Sequence, residues 1–181
     1  MDPEHAGMLA NQTDPRLILA THVFGNPADA ARLGQLAARI GVPLMFDAAH
    51  GYGSKREGVA VGCLGDLEVF SLSGTKPVTC AEGGLITSRD PQLLERVTYL
   101  RGYGFQGDYN SKWMGFNGKM SELHAALGTL SLPRIESVLT DRTIQLATYR
   151  EALRSVPGLR YQAVRAQDRS TQTDNHIVSQ S

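Results

Sequence analysis

Apolar residues recur along this chain in two rhythms, short unbroken runs and steps of three and four, and the two alternate. Residues 16–21 (RLILAT) form a short apolar run that reads as a strand. Asn26-Pro27 follows, an N-cap residue with proline at the first helical position, and Asp29 falls in the first turn. Ala30, Leu33, Ala37 and Ile40 then mark one apolar helix face, which Gly41 ends. Residues 44–47 (LMFD) are a second strand. A strand–helix–strand unit with such short connections predicts a parallel sheet. Residues 67–72 (LEVFSL) and 84–88 (GLITS) are the third and fourth strands. Asp90-Pro91 opens a helix whose buried face is Leu93, Val97 and Leu100, and Gly102 stops it.

The stretch 102–118 is rich in glycine and aromatics and reads as a long loop, a length that in compact domains is functional or disordered. Met120, Leu123, Leu127 and Leu130 share one side of the next helix. After Pro133, positions 135, 139, 142, 146, 149 and 153 alternate four- and three-residue steps in the clearest helix of the chain. Only Arg142 interrupts its apolar stripe, and Pro157-Gly158 ends it. Residues 163–181 are polar and almost patternless. The pattern predicts an α/β fold, a mostly parallel sheet with helices on both faces, and a boundary near Ser131 that separates residues 1–131 from 132–181.

Charge and composition remove several function classes. Lys+Arg and Asp+Glu both count 18, so the chain has no basic field for nucleic acid or an anionic membrane surface. No apolar run approaches the roughly 20 residues of a membrane span. The N-terminus has neither the basic start nor the apolar core of a signal peptide. The expectation is a cytoplasmic protein with no nucleic-acid or membrane partner. Cys63 and Cys80 fit no CxxC spacing and are expected to be reduced thiols. His5, His22, His50, His124 and His176 make no HxxxH or HxH pair, so no metal site is expected.

In open parallel sheets, ligands bind at the C-terminal ends of strands. Asp47 ends the second strand, within FDAAH. Ser71 and Ser73 end the third, within FSLSGTK, and Lys76 lies just beyond in a loop of small residues. Glu82-Gly83-Gly84 leads back into the sheet. Taken singly, each has a plain structural reading: a turn carboxylate, a solvated lysine, turn serines.

Taken in order, the motifs HVFGNPAD, FDAAHGYGS, VGCLGDLEVFSLSGTKPVTCAEGGLI, LRGYG and GFNGKMSELHAALG change that balance. From His22 through Leu130 the chain resembles the DegT-type sugar-nucleotide aminotransferases, members of the fold-type-I pyridoxal-phosphate enzymes. The resemblance implies the fold and a role for each matching residue. Lys76 matches the lysine that holds the cofactor as a Schiff base and shuttles the substrate proton. Asp47 matches the carboxylate paired with the pyridine nitrogen. Ala49 matches the small residue against the ring face, and His50 a glutamine-or-histidine position close to the cofactor. Ser71 matches a hydroxyl that binds the cofactor phosphate. Asn117 matches an asparagine that reaches a phosphate in the neighbouring subunit; its plain reading, an N-cap for a helix over 119–130, is compatible.

The implied reaction is amino transfer from an amino acid, expected to be glutamate, to a keto group of a nucleotide-linked sugar, in a homodimer with shared active sites. Residues 1–131 would be part of the pyridoxal-phosphate-binding large domain and 132–181 the start of a small C-terminal domain. The chain departs from the family in places. Gly102-Tyr103 stands where many relatives have Asn-His after the loop arginine, and the tail TQTDNHIVSQS does not resemble the family's continuation. Family members are longer at both ends. The resemblance therefore implies a fragment that lacks the phosphate-gripping helix end and is inactive alone. The alternatives are a truncated, non-catalytic or regulatory homologue, a dehydratase of the same family, which would carry histidine where Lys76 stands, and an unrelated doubly wound domain.

Overall fold

A computed structural model of the protein describes residues 1–171 and the backbone of 177–179. The chain begins with α1 (Pro3–Ala10), opened by Asp2, whose carboxylate accepts the amide protons of Glu4 and His5, with proline at the first helical position. The central unit is β1 (Ile18–Thr21), α2 (Ala30–Ile40) and β2 (Leu44–Asp47), with β1 and β2 parallel in the register Ile18↔Leu44 to Thr21↔Asp47. A tight hairpin follows, β3 (Lys55–Arg56) and β4 (Val59–Ala60). Its two turn residues, Glu57 and Gly58, both have positive φ, the requirement of a turn that matches strand twist.

Strand β5 (Leu67–Ser71) joins β2 in parallel and β6 (Gly84–Thr87) returns antiparallel, giving the order β1-β2-β5-β6. Helices α3 (Pro91–Arg101), α4 (Glu122–Ser131) and α5 (Ile135–Ala152) follow, then the short pair β7 (Leu159–Tyr161) and β8 (Ile177–Ser179). The α/β class and the mostly parallel sheet agree with the pattern.

Alternation decides the two faces of the sheet. Ile18 and Ala20 of β1, and Leu44 and Phe46 of β2, are buried against Ala30, Leu33, Leu36 and Ala37 of α2. Their neighbours Leu19, Met45 and Asp47 point to the other face and are exposed or half-buried. A carboxylate sits inside the covered side. Glu68 is fully buried and accepts the amide protons of Gly62, Leu64 and Gly65. The His22 ring stacks on Phe46 with its Nε2 3.4 Å from Glu68 Oε2. His22 Nδ1 accepts the Ala28 amide proton, so the ring's own proton belongs on the nitrogen that faces Glu68.

Several local expectations are corrected. The cap of α2 is Asp29, which accepts from Arg32, not Asn26. The Asn26 side chain instead donates to the Ala163 carbonyl 137 residues away. Leu93, Val97 and Leu100 of α3 are only half-buried. The cap of α4 is Ser121, which accepts from the His124 amide, so Asn117 does not cap that helix.

The segment 102–118 is tied across itself by bridges between Gly102 and Asn117 and between Phe105 and Ser111, with Arg96 over Trp113 and Lys119 over Tyr103. Residues 163–171 lack pattern yet end buried, because backbone and short polar groups hold them in place of apolar side chains. His176 and most of the tail 171–181 lie outside the described residues.

Candidate functional site

The strand ends of β2 and β5 lie side by side, and the face away from α2 forms an open groove of about 460 Å³ between them. Leu19 and Met45 lie on its apolar floor, and Asp47, Ala49, Ser71 and Gly83 bring backbone and polar groups to it. Three of the six residues nominated from the sequence therefore share one concavity. Asp47 owes its place to period two: as β2's fourth residue it faces away from α2, and its Oδ1 accepts the Ala49 amide proton at 3.0 Å. Ala48 stays buried and donates to Val69 on β5 at 2.8 Å, so the chain remains pinned to the sheet one residue past the strand.

His50 follows, half-buried, with the Phe24 ring stacked against its own at 5.9 Å between centroids. Phe24 reaches it from a backbone at φ 54, held between the buried His22 and Gly25. At the end of β5 the Ser71 hydroxyl lies 3.3 Å from that of Ser73 and accepts the Ser73 amide proton. Lys76 closes the next turn, its amide donating to the Ser73 carbonyl at 3.0 Å. Pro77, Val78 and Cys80 are buried behind it and anchor the turn. Lys76 itself is half-buried. Asn117 stands apart, exposed and bridged to Gly102.

Some contacts of the site escaped the sequence reading. Arg142, the one polar residue in α5's apolar stripe, extends Nη2 to the Thr75 carbonyl at 3.5 Å, the residue before Lys76. Its position in the stripe was the signal. α5 reaches the loop after β2 as well: a Cβ on Gly53 would meet Leu139 Cδ1 at 2.8 Å, and the φ of +91 there favours glycine. Ser54 and Thr171, both fully buried, bond one another beneath that loop. Ser54 lies inside the FDAAHGYGS motif, whereas nothing in the pattern marks Thr171.

A larger cleft, about 560 Å³, opens between α1, the start of α2 and residues 162–165. Its guanidinium groups are already matched by carboxylates: Arg32 with Glu4 at 2.9 Å, Arg56 with Asp29 at 3.2 Å and Arg165 with Asp29 at 3.0 Å. Burial alone would raise the Asp29 carboxyl, and the Arg165 guanidinium, the Arg32 amide and Arg56 outweigh it, holding it below the ordinary carboxylate range. That cleft is a neutralised network, whereas the smaller groove holds the carboxylate of Asp47 and the hydroxyl of Ser71. Among the described residues no group of three or more His, Cys, Asp or Glu side chains could hold a metal ion, and no helix is long and apolar enough to cross a membrane.

Known proteins share this fold. The chain is 32% identical over 146 residues to dTDP-4-amino-4,6-dideoxy-D-glucose transaminase of Shigella dysenteriae, a match covering 81% of this chain and 40% of that protein. The crystal structure of DesI with its TDP-sugar product superposes with a TM-score of 0.86 at 34% identity, over 96% of this chain and 44% of that one. DesV of S. venezuelae, in complex with a ketimine intermediate, gives a TM-score of 0.90 at 28% identity, over 99% of this chain and 48% of its own. The chain thus spans less than half the length of these relatives. The DegT/DnrJ/EryC1/StrS aminotransferase family model matches residues 1–180, and with the groove, the strand order and the lysine turn in place the chain belongs to that family.

Proposed function

We propose that the protein carrying this chain is a pyridoxal-phosphate-dependent aminotransferase that moves an amino group from glutamate to a keto group of a nucleotide-linked sugar. The observation that carries this reading is the groove itself, where a carboxylate, a methyl group and a hydroxyl meet over an apolar floor at the strand ends, with a lysine on the turn that follows. Those groups suit pyridoxal phosphate: an aromatic ring with a basic nitrogen, an aldehyde that an amine can capture, and a phosphate. When bound, the cofactor supplies an electron sink for the carbanion left as a substrate α-proton departs.

The chain's own residues divide the remaining work. Asp47 would hold a proton at the ring nitrogen, Ala49 would pack against the ring, and His50 would stand close by. The Ser71 hydroxyl donates to the phosphate. The Lys76 amine would hold the cofactor and carry the proton away from the substrate α-carbon, a role that needs an amine able to exchange a proton. The Arg142 guanidinium beside the Thr75 carbonyl steadies the lysine turn.

Asn117 is assigned to the partner subunit's site, in a homodimer with shared active sites, which fits its place outside this chain's groove. Residues 1–131 are read as part of the cofactor-binding domain and 132–181 as the start of a second. The sugar transaminases among the relatives support the substrate class.

The test is a half-reaction. Glutamate alone should bleach the bound cofactor's absorbance in the absence of sugar. Asp47→Ala should still take up cofactor but slow that change by on the order of 10²-fold or more, the usual scale for a lost proton-transfer partner. An unchanged rate would make Asp47 a turn residue only.

A further inference from the structure

The segment that follows α5 returns to the strand ends and fastens onto the loop that carries Ala49 and His50. Its contacts are continuous. The Asp168 side chain, fully buried, takes Arg56 Nη1 at 3.1 Å and the Glu57 amide at 3.1 Å. Arg169 and Lys55 exchange backbone hydrogen bonds of 2.7 and 2.9 Å. The Thr171 amide donates to Ser54 Oγ at 2.9 Å, and the Ser54 hydroxyl donates onward to the Gly25 carbonyl at 2.6 Å. The Thr171 hydroxyl donates to the His50 carbonyl at 2.6 Å. Ser54 and Thr171 are each almost wholly shut off from water.

The consequence lies in how the groove wall is held. Up to Ala48 the chain is part of the sheet, through the bond to Val69. Ala49 is then tied to Asp47, and the far end of the short wall is tied to Thr171. The donor end of this bond is shut off from water and its acceptor end is half-buried, so it couples the wall to the strap. We propose, resting on the reading of the groove as a pyridoxal-phosphate site, that Thr171 is a positioning residue. Through its buried hydroxyl it fixes the Ala49–His50 wall, so that docking of residues 168–171 sets the groove's affinity for the cofactor.

The experiment compares the protein with Thr171→Val, which keeps the shape and removes the hydroxyl, and Thr171→Ser, which restores the hydroxyl. Two readouts are taken: titration with pyridoxal phosphate followed by absorbance, and amide hydrogen exchange of residues 48–54 without cofactor. Thr171→Val should weaken cofactor binding about tenfold and speed exchange in 48–54 while β1 and β2 stay protected, and Thr171→Ser should lie close to wild type. Binding within twofold of wild type in Thr171→Val, or equal loss in Thr171→Ser, would overturn the positioning role.

If Thr171→Val does not fold, exchange on the unmodified protein decides the matter: Ser54 and residues 168–171 should open as one unit with a common protection. Protection of 168–171 lower by orders of magnitude than that of Ser54 would refute the strap. Absence of cofactor binding in wild type, with the strap protected, would instead remove the functional reading on which the proposal stands, and the affinity role with it.

Discussion

Helices α2 and α4 both place apolar residues at three- and four-residue steps and meet opposite fates. On α2, Leu33 is 0% exposed and lies over Phe46, also 0% exposed, on β2. On α4, Leu123 is 80% exposed and Leu130 73%, and the nearby edge strand β6 leaves Leu85 and Ile86 in partial contact with water. Spacing thus tells which side chains need cover, and not whether the same chain supplies it. The difference also sorts the two sides of the candidate site. Asp47 and Ala49 grow from the closed side, where burial fixes the backbone; β6 and α4 belong to a side whose apolar surface suits a protein partner, in the proposed reading the second subunit.

The largest contrast should appear on truncation. Phe46→Ala removes a fully buried ring stacked on His22 and should cost about 3–5 kcal/mol in denaturant unfolding. Leu123→Ala should fall within about 0.5 kcal/mol in the monomer. Equal costs would erase the distinction between the two sides.

A smaller effect, dependent on pH, tests the polar centre of the closed side. Burial alone would push the Glu68 carboxyl up; the His22 imidazole and the amides of Gly65, Leu64 and Gly62 outweigh it and hold it below the ordinary glutamate range. A lowered folded value means stability that is fully present above the unfolded pKa and is lost as pH falls through the folded one. Glu68→Gln should therefore cost about 1–3 kcal/mol at neutral pH, with the gap to wild type narrowing on acidification. A gap that stayed constant down to acid pH would show that the charge is not what the site uses. The smallest effect on stability belongs to the open side. Leu123→Glu with Leu130→Glu should change unfolding by no more than about 0.5 kcal/mol. In the proposed dimer the same pair should shift the protein towards monomer in sedimentation, and a dimer that persists would place the interface elsewhere.

What was legible in the sequence follows the same division. β1, β2 and β5 announced themselves because apolar runs flanked by turn residues admit few other readings, and Asp47, Ala49 and Ser71 share the groove because period two puts them there. Lys76 stood out through its motif and its place after a strand. The cap of α2 was misplaced by three residues because Asn26-Pro27 has all the local marks of a cap, and a contact with Ala163 far along the chain overrides them. Residues 168–171 were opaque for a related reason: their burial rests on backbone groups and short hydroxyls, which leave no period to read. Arg142 was visible as an anomaly in its helix, and its partner, the carbonyl before Lys76, was not.

In the proposed reading Lys76 is the amine that captures the cofactor. This chain has four lysines, Lys55, Lys76, Lys112 and Lys119, and peptide mapping tells a label on one from a label on another. The protein should be incubated with pyridoxal phosphate, reduced with borohydride and mapped by peptide mass spectrometry. The phosphopyridoxyl group should be found on Lys76, and Lys76→Ala should abolish the label while the fold survives. A label on Lys55, Lys112 or Lys119 with Lys76 untouched would contradict the account.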